Sequence, residues 1–134
     1  MTIRQNLTIR QGETWSYVYT HLAAGSPVDL TGYTARMSIR ESFEGTNEAY
    51  LSTGADANGG TITLGGVAGT VTLAMTAAQS AALAGDLSSI LFVEPRKRAE
   101  RDVDFLYDLE LVSGAGVVTR ALEGCLRVQR EVTS

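Results

Sequence analysis

Residues 33–40 read Tyr33-Thr34-Ala35-Arg36-Met37-Ser38-Ile39-Arg40. Tyr33, Ala35, Met37 and Ile39 alternate with Thr34, Arg36, Ser38 and Arg40. A period of two sends successive side chains to opposite faces of an extended chain, so this stretch predicts a strand with one apolar and one polar, arginine-bearing face. The same period recurs to either side of it. Leu7 and Ile9 alternate with Thr8 and Arg10. Beyond Gln11-Gly12-Glu13, the aromatics Trp15, Tyr17 and Tyr19 stand against Thr14, Ser16 and Thr20, as on a strand face. Downstream, Val71, Leu73 and Met75 share one parity, and Phe105, Tyr107, Leu109 and Leu111 alternate with Asp108 and Glu110.

The punctuation between these runs is that of turns. Ala24-Gly25-Ser26-Pro27 and Ser113-Gly114-Ala115-Gly116 predict tight turns, and residues 54–60 and the glycines at 65, 66 and 69 predict two more. Residues 41–47 and 95–104 predict polar loops. Short strands are expected at 48–53, 61–64, 70–75 and 88–93, and a long last strand from 117 to about 132, bulged at Gly124. The period changes once. Thr76-Ala77-Ala78-Gln79 has the form of a capping box, and Gly85 is placed to stop what it starts, so one short helix is expected at 77–84. The whole predicts an all-β fold: a β-sandwich, or partly open barrel, of seven to nine antiparallel strands with that single helix. No linker, repeat or low-complexity tract divides residues 1–134, which read as one domain. Tyr33, Met37, Ile39, Val71, Leu73, Tyr107, Leu109 and Leu111 are expected to form one core.

Composition narrows the function. With 44% hydrophobic residues and 19% charged, the chain has the apolar content of a folded domain rather than a disordered one. A net charge of −4 gives no general attraction for phosphate backbones, so no nucleic-acid partner is expected. No apolar run approaches a membrane span, and residues 1–10 lack a signal-peptide core, so synthesis and assembly in the cytosol are expected. One cysteine and one histidine give no ligand spacing for a metal, and the glycine-rich stretch lacks the lysine of a phosphate loop. No cofactor, metal or catalytic set is therefore expected. The carboxylates Asp102, Asp104, Asp108 and Glu110 are the cluster an enzyme or calcium site would have to use. Cys125 falls on the polar-facing parity of the last strand by register, or turns inward if Gly124 is a bulge; a buried, inert thiol is the default reading. The mixed-charge segment 94–104, with Arg96, Lys97, Arg98, Glu100 and Arg101, is the candidate protein-contact surface; its interleaved acids dilute any field a phosphate would feel.

Several stretches, in this order, carry a resemblance. They are a Gly-Glu corner after the first strand, then Val28-Asp29-Leu30-Thr31-Gly32 running into the strand at 33–40, and the Thr76 helix. Tyr107-Asp108-Leu109-Glu110-Leu111, Gly116-Val117-Val118-Thr119 and a closing Val128-Gln129-Arg130-Glu131-Val132-Thr133 complete the set. Over nearly the whole chain this resembles a class of small β-sandwich proteins encoded among phage and prophage structural genes. It looks most like the N-terminal docking domain of baseplate upper proteins of tailed phages. The resemblance implies a virion protein that attaches to a tail or baseplate ring, often carrying a fibre or receptor-binding part. Two departures stand out: residues 94–104 look inserted, and the chain ends at Ser134 without a fibre domain. A stand-alone adaptor is the expectation, with many copies on the particle and a free chain that is monomeric or weakly associating. A capsid decoration or head–tail connector protein is the alternative within that class. A carbohydrate-binding module using Trp15, Tyr17 and Tyr19 is the alternative outside it.

Overall fold

The computed structural model describes residues 3–40, 47–54, 59–83 and 102–129. Eleven strands form among them: β1 (Ile3–Arg4), β2 (Leu7–Arg10), β3 (Trp15–Thr20), β4 (Leu22–Ala23), β5 (Ser26–Pro27), β6 (Thr34–Arg40), β7 (Asn47–Ser52), β8 (Gly60–Leu64), β9 (Thr70–Met75), β10 (Asp102–Val112) and β11 (Val118–Gln129). One helix, α1 (Ala77–Ala82), follows β9. Nine of the strands make one sheet in the order β1-β11-β10-β6-β7-β8-β9-β3, with β2 also paired to β11; β4 and β5 form a separate small hairpin. The fold is all-β, as the periodicity predicts.

This sheet is rolled. β2 lies on the β11 side and β3 on the β9 side, at opposite ends of the strand order. Only residues 11–14 join them, so Arg10 and Trp15 lie at most about 18 Å apart. The two ends of the sheet must therefore come close together, which curls it into a half-barrel around its apolar face. α1 holds that corner. Ser80, fully buried, donates its hydroxyl to the Glu13 carbonyl at 2.7 Å and accepts from the Gly12 amide at 3.0 Å. Gln11, also buried, donates to the carbonyls of Ala81 and Leu83 at 3.0 and 2.9 Å, satisfying groups that the end of a helix leaves open. Gln11→Leu is expected to cost about 1–3 kcal/mol, because it strands those carbonyls in the interior; urea denaturation measures it.

Most of the expected core is confirmed. Met37, Ile39, Val71, Leu73, Tyr107, Leu109 and Leu111 are buried in one cluster with Leu7, Ile9, Phe105 and Leu126. Tyr33 is only partly buried: it precedes β6, where its amide closes a turn onto the Leu30 carbonyl at 3.0 Å. The capping box forms as read. Thr76 Oγ1 accepts from the Gln79 amide at 3.1 Å, and the Gln79 side chain accepts from the Thr76 amide at 2.9 Å. The helix stops at Ala82, with Leu83 extended, rather than reaching residue 84.

Three further details differ from expectation. Three ladders are parallel: β1 and β2 with β11, and β7 with β8. The charged stretch does not stay a loop up to Asp104; β10 begins at Asp102, whose partner is Gln129. The bulge in β11 is at Ala121. Leu122 pairs with Leu109 and Arg120 with Glu110, so Ala121 is the extra residue, and Ala121 and Leu122 are buried side by side. Gly124 is regularly paired, opposite Tyr107, and serves a different purpose. A Cβ there would lie 2.5 Å from the Gln5 carbonyl oxygen. The N-terminal chain crosses tightly over it, β1 and β2 keeping one register along β11 on either side of Gln5-Asn6. At that break Tyr107 donates its hydroxyl to the Gln5 carbonyl, and Asn6 Oδ1 accepts from the Cys125 amide. The expected strand at 88–93 and the glycine stop at 85 lie outside the described residues.

Candidate functional site

The polar parity of β6, β10 and β11 faces outward and carries a ladder of opposite charges. Arg36 on β6 meets Glu110 on β10 at 2.8 Å. Arg127 on β11 holds Asp104 on β10 through two bonds, at 2.8 and 3.1 Å. Arg120 lies 3.8 Å from both Asp108 and Glu123, and Arg4 on β1 reaches Glu123 at 3.2 Å. The pairs follow from register: Glu110 stands opposite both Arg36 and Arg120, and Asp104 opposite Arg127. The hydrogen bond from Arg127 holds the Asp104 carboxyl below the usual carboxylate range, and Glu110 in turn raises Arg36. These are exposed pairs, each worth at most about 1 kcal/mol.

The ladder settles how the carboxylates are placed. Asp104, Asp108 and Glu110 do not converge on one point. They are spaced along one strand, and each faces an arginine of a neighbouring strand. Among the described residues no group of three histidine, cysteine, aspartate or glutamate side chains is placed to hold a metal ion.

Within the ladder lies a shallow depression of about 160 Å³. Leu106 and Cys125, paired across β10 and β11, lie in it, with Arg40, Asp108, Arg120 and Glu123 among the residues around them. Cys125 is exposed, correcting the expectation of a buried thiol. The parity of β11 explains it: Gly124, Leu126 and Val128 turn inward, so Cys125 turns out. An apolar patch ringed by paired charges has the anatomy of a small protein-contact site, where the ring excludes water and the patch receives an apolar side chain. Arg96, Lys97, Arg98, Glu100 and Arg101, the contact residues read from sequence, lie outside the described residues.

No family model matches the chain, and no curated protein does. Among solved structures it is similar to murine CRIg, at 10% identity and a TM-score of 0.39, over 94% of this chain and 92% of that one. Nothing about binding or activity transfers at that level.

Two further places bear on binding. Trp15, Tyr17 and Tyr19 turn toward the interior and pack partly on the core, rather than standing free as a stacking platform. At the end of β3, Tyr19 and His21 meet edge to face with ring centres 6.3 Å apart. The Tyr19 hydroxyl and His21 Nδ1 are buried, with no hydrogen-bond partner among the described residues. Burial raises the Tyr19 hydroxyl and lowers the His21 imidazole. By NMR, His21 is therefore expected to titrate below the 6.5 of an ordinary histidine. The unfolded chain takes up this proton first as pH falls. The contribution of the neutral ring to stability is thus complete above about pH 6.5 and is lost as pH drops through the lower folded value. Urea denaturation at pH 7.5 and 5.5 checks the sign, and His21→Gln should remove that part of the difference.

Proposed function

We propose that this chain is a phage virion structural protein, a tail, baseplate or fibre-docking adaptor that works by protein–protein assembly. The observation that carries the assembly reading is the outer face of β6, β10 and β11. Its paired charges and small apolar depression suit a wet, moderate contact with a complementary protein surface. The virion assignment rests on the sequence resemblance, in particular the Asp29-Leu30-Thr31-Gly32 entry to β6 and Tyr107-Asp108-Leu109-Glu110-Leu111 in β10. On this reading the segment 94–104, with Arg96, Lys97, Arg98, Glu100 and Arg101, is a second contact. The protein recruits neither cofactor nor nucleic acid, and many weak contacts around a ring hold each copy by avidity.

The test is copy number. Quantitative mass spectrometry of purified particles should find this chain at a ring or lattice stoichiometry. Reversing the charges of Arg96, Lys97 and Arg98 should lower its incorporation several-fold while leaving the melting temperature unchanged. Absence from the particle would overturn the structural-protein reading.

A further inference from the structure

The two ends of the rolled sheet are protected differently. At one end, β1 and β2 are broken at Gln5-Asn6 and carry Arg4 and Arg10. At the other, β3 reads Trp15-Ser16-Tyr17-Val18-Tyr19-Thr20, with no charge, no proline and an unshifted register along β9. Edge strands that must stay unpaired are commonly blunted by charges, prolines, bulges or shortness. β3 has none of these.

Its unsatisfied groups can be assigned. In an antiparallel pair each residue turns both its N–H and its C=O to one side, and the side alternates along the strand. The His21 amide donates to the Gly69 carbonyl at 2.8 Å, on the β9 side. Tyr19, Tyr17 and Trp15 share that parity and point to β9. Ser16, Val18 and Thr20 therefore turn their N–H and C=O away from it, toward an edge to which no strand among the described residues pairs. On the outer face of the same edge Val18 is 55% exposed, a large apolar side chain on the surface.

We infer that β3 is a strand-addition edge and that its occupant is the β3 of a second copy, paired antiparallel about a two-fold axis through Val18. Strand parity limits the choice. A two-fold between two residues would set inward side chains opposite outward ones, so the axis must pass through a residue. Through Val18, the outward-pointing backbone groups match. Val18 faces its own copy and Ser16 faces Thr20 of the second copy, so these pairs can exchange two hydrogen bonds each. Val18 covers Val18, a β-branched cross-strand pair, and Tyr17 meets the second copy's Tyr19 on the inner face. The strand bears no charge, so self-pairing sets no like charges opposite each other. One short strand pair buries far less than the ~1,200 Å² of a stable interface, so the contact is weak in free solution and effective only where copies are held close. This deepens the assembly reading and rests on it for its setting.

Cysteine cross-linking tests the register. In a Cys125→Ser background, Val18→Cys places two thiols on the two-fold, with Cα atoms about 5.5 Å apart, within the 4.4–6.8 Å a disulfide needs. Ser16→Cys alone leaves its two copies four residues out of register, roughly 14 Å apart. Under mild oxidation Val18→Cys should form the covalent dimer at least tenfold faster than Ser16→Cys alone, and mixed Ser16→Cys and Thr20→Cys proteins should cross-link to each other. Equal rates overturn the proposal. Amide exchange of the unmodified protein gives a second measurement. Ser16, Val18 and Thr20 should exchange fast in dilute solution and slow with rising concentration. Protection already present in dilute protein would mean that the edge is covered within one chain, and would overturn it too. The two readings fail separately: a chain present in particles without the Val18 cross-link loses only the pairing, and a cross-linked dimer absent from particles loses only the virion role.

Discussion

Met37→Asp is expected to yield no soluble folded protein. Met37 is completely buried near the middle of β6, opposite Leu109 on one side and Leu51 on the other, both of them fully buried. Removing the methionine side chain from such a site costs about 2–5 kcal/mol. A carboxylate there adds a charge with no partner among those neighbours; it costs several kcal/mol more, or takes up a proton and remains an unsatisfied polar group. Domains of this size are stable by only about 5–15 kcal/mol, so the substitution removes most or all of the margin. Thr34→Asp, on the exposed parity of the same strand, is the control and should shift stability by no more than about 0.5 kcal/mol. Expression in the soluble fraction, followed by circular dichroism, separates the two variants. A soluble Met37→Asp protein with an unchanged melting temperature would place the apolar parity of β6 on the wrong face.

Gly124→Val is expected to be nearly as damaging, for a reason that has nothing to do with polarity. Gly124 has φ +156°, a region side-chain-bearing residues rarely adopt, and a Cβ would meet the Gln5 oxygen at 2.5 Å and the Gln5 carbonyl carbon at 3.0 Å. Those atoms are backbone and cannot step aside as a flexible side chain would. Strain of this kind costs about 1–3 kcal/mol, and forcing extra atoms into a packed site about as much again. The melting temperature should fall by on the order of 10 °C or more. The damage should be directional, with β1 and β2 lifting from β11 and exposing Leu7 and Ile9. Amide exchange on that side of β11 and faster proteolysis near residue 5 report it. Tyr107→Phe isolates the neighbouring hydrogen bond and should cost only about 1 kcal/mol. A Gly124→Val protein that melts like the parent, with its N-terminal strands still protected, would contradict this account.

Both predictions concern positions whose parity can be read from sequence, yet only one of the two reasons can. Met37 belongs to an alternation that survives folding unchanged, because a strand's period is a local property of the backbone. The inward parity of β2, β9 and β10, and the capping box at Thr76, were legible on the same ground. Gly124 was recognisable as an exception but not as a crossing point. Glycine in a strand marks either a bulge or a close approach, and which one applies depends on a segment more than a hundred residues away in the chain. The true bulge, at Ala121, bears no local mark at all. The misassigned exposure of Cys125 followed from the same ambiguity.

The outer face divides in the same way. That Arg36, Arg40, Asp108 and Glu110 would point outward was a matter of parity. That Arg36 would meet Glu110, and Arg127 would meet Asp104, depended on how β10 registers against β6 and β11, which long-range pairing sets. The same holds for the depression around Leu106 and Cys125, since its residues come from strands far apart in sequence. By itself, then, the order of residues determined the class of fold, the longer alternating strands and the face taken by the side chains that alternate regularly along them, because these follow from local periodicity and local hydrogen bonding. Only the tertiary structure decided which strands are neighbours, which of them run parallel, how the sheet rolls until its two ends approach, and that β3 is left as an uncharged edge. Those depend on contacts between distant segments, and nothing within a single strand encodes its partner.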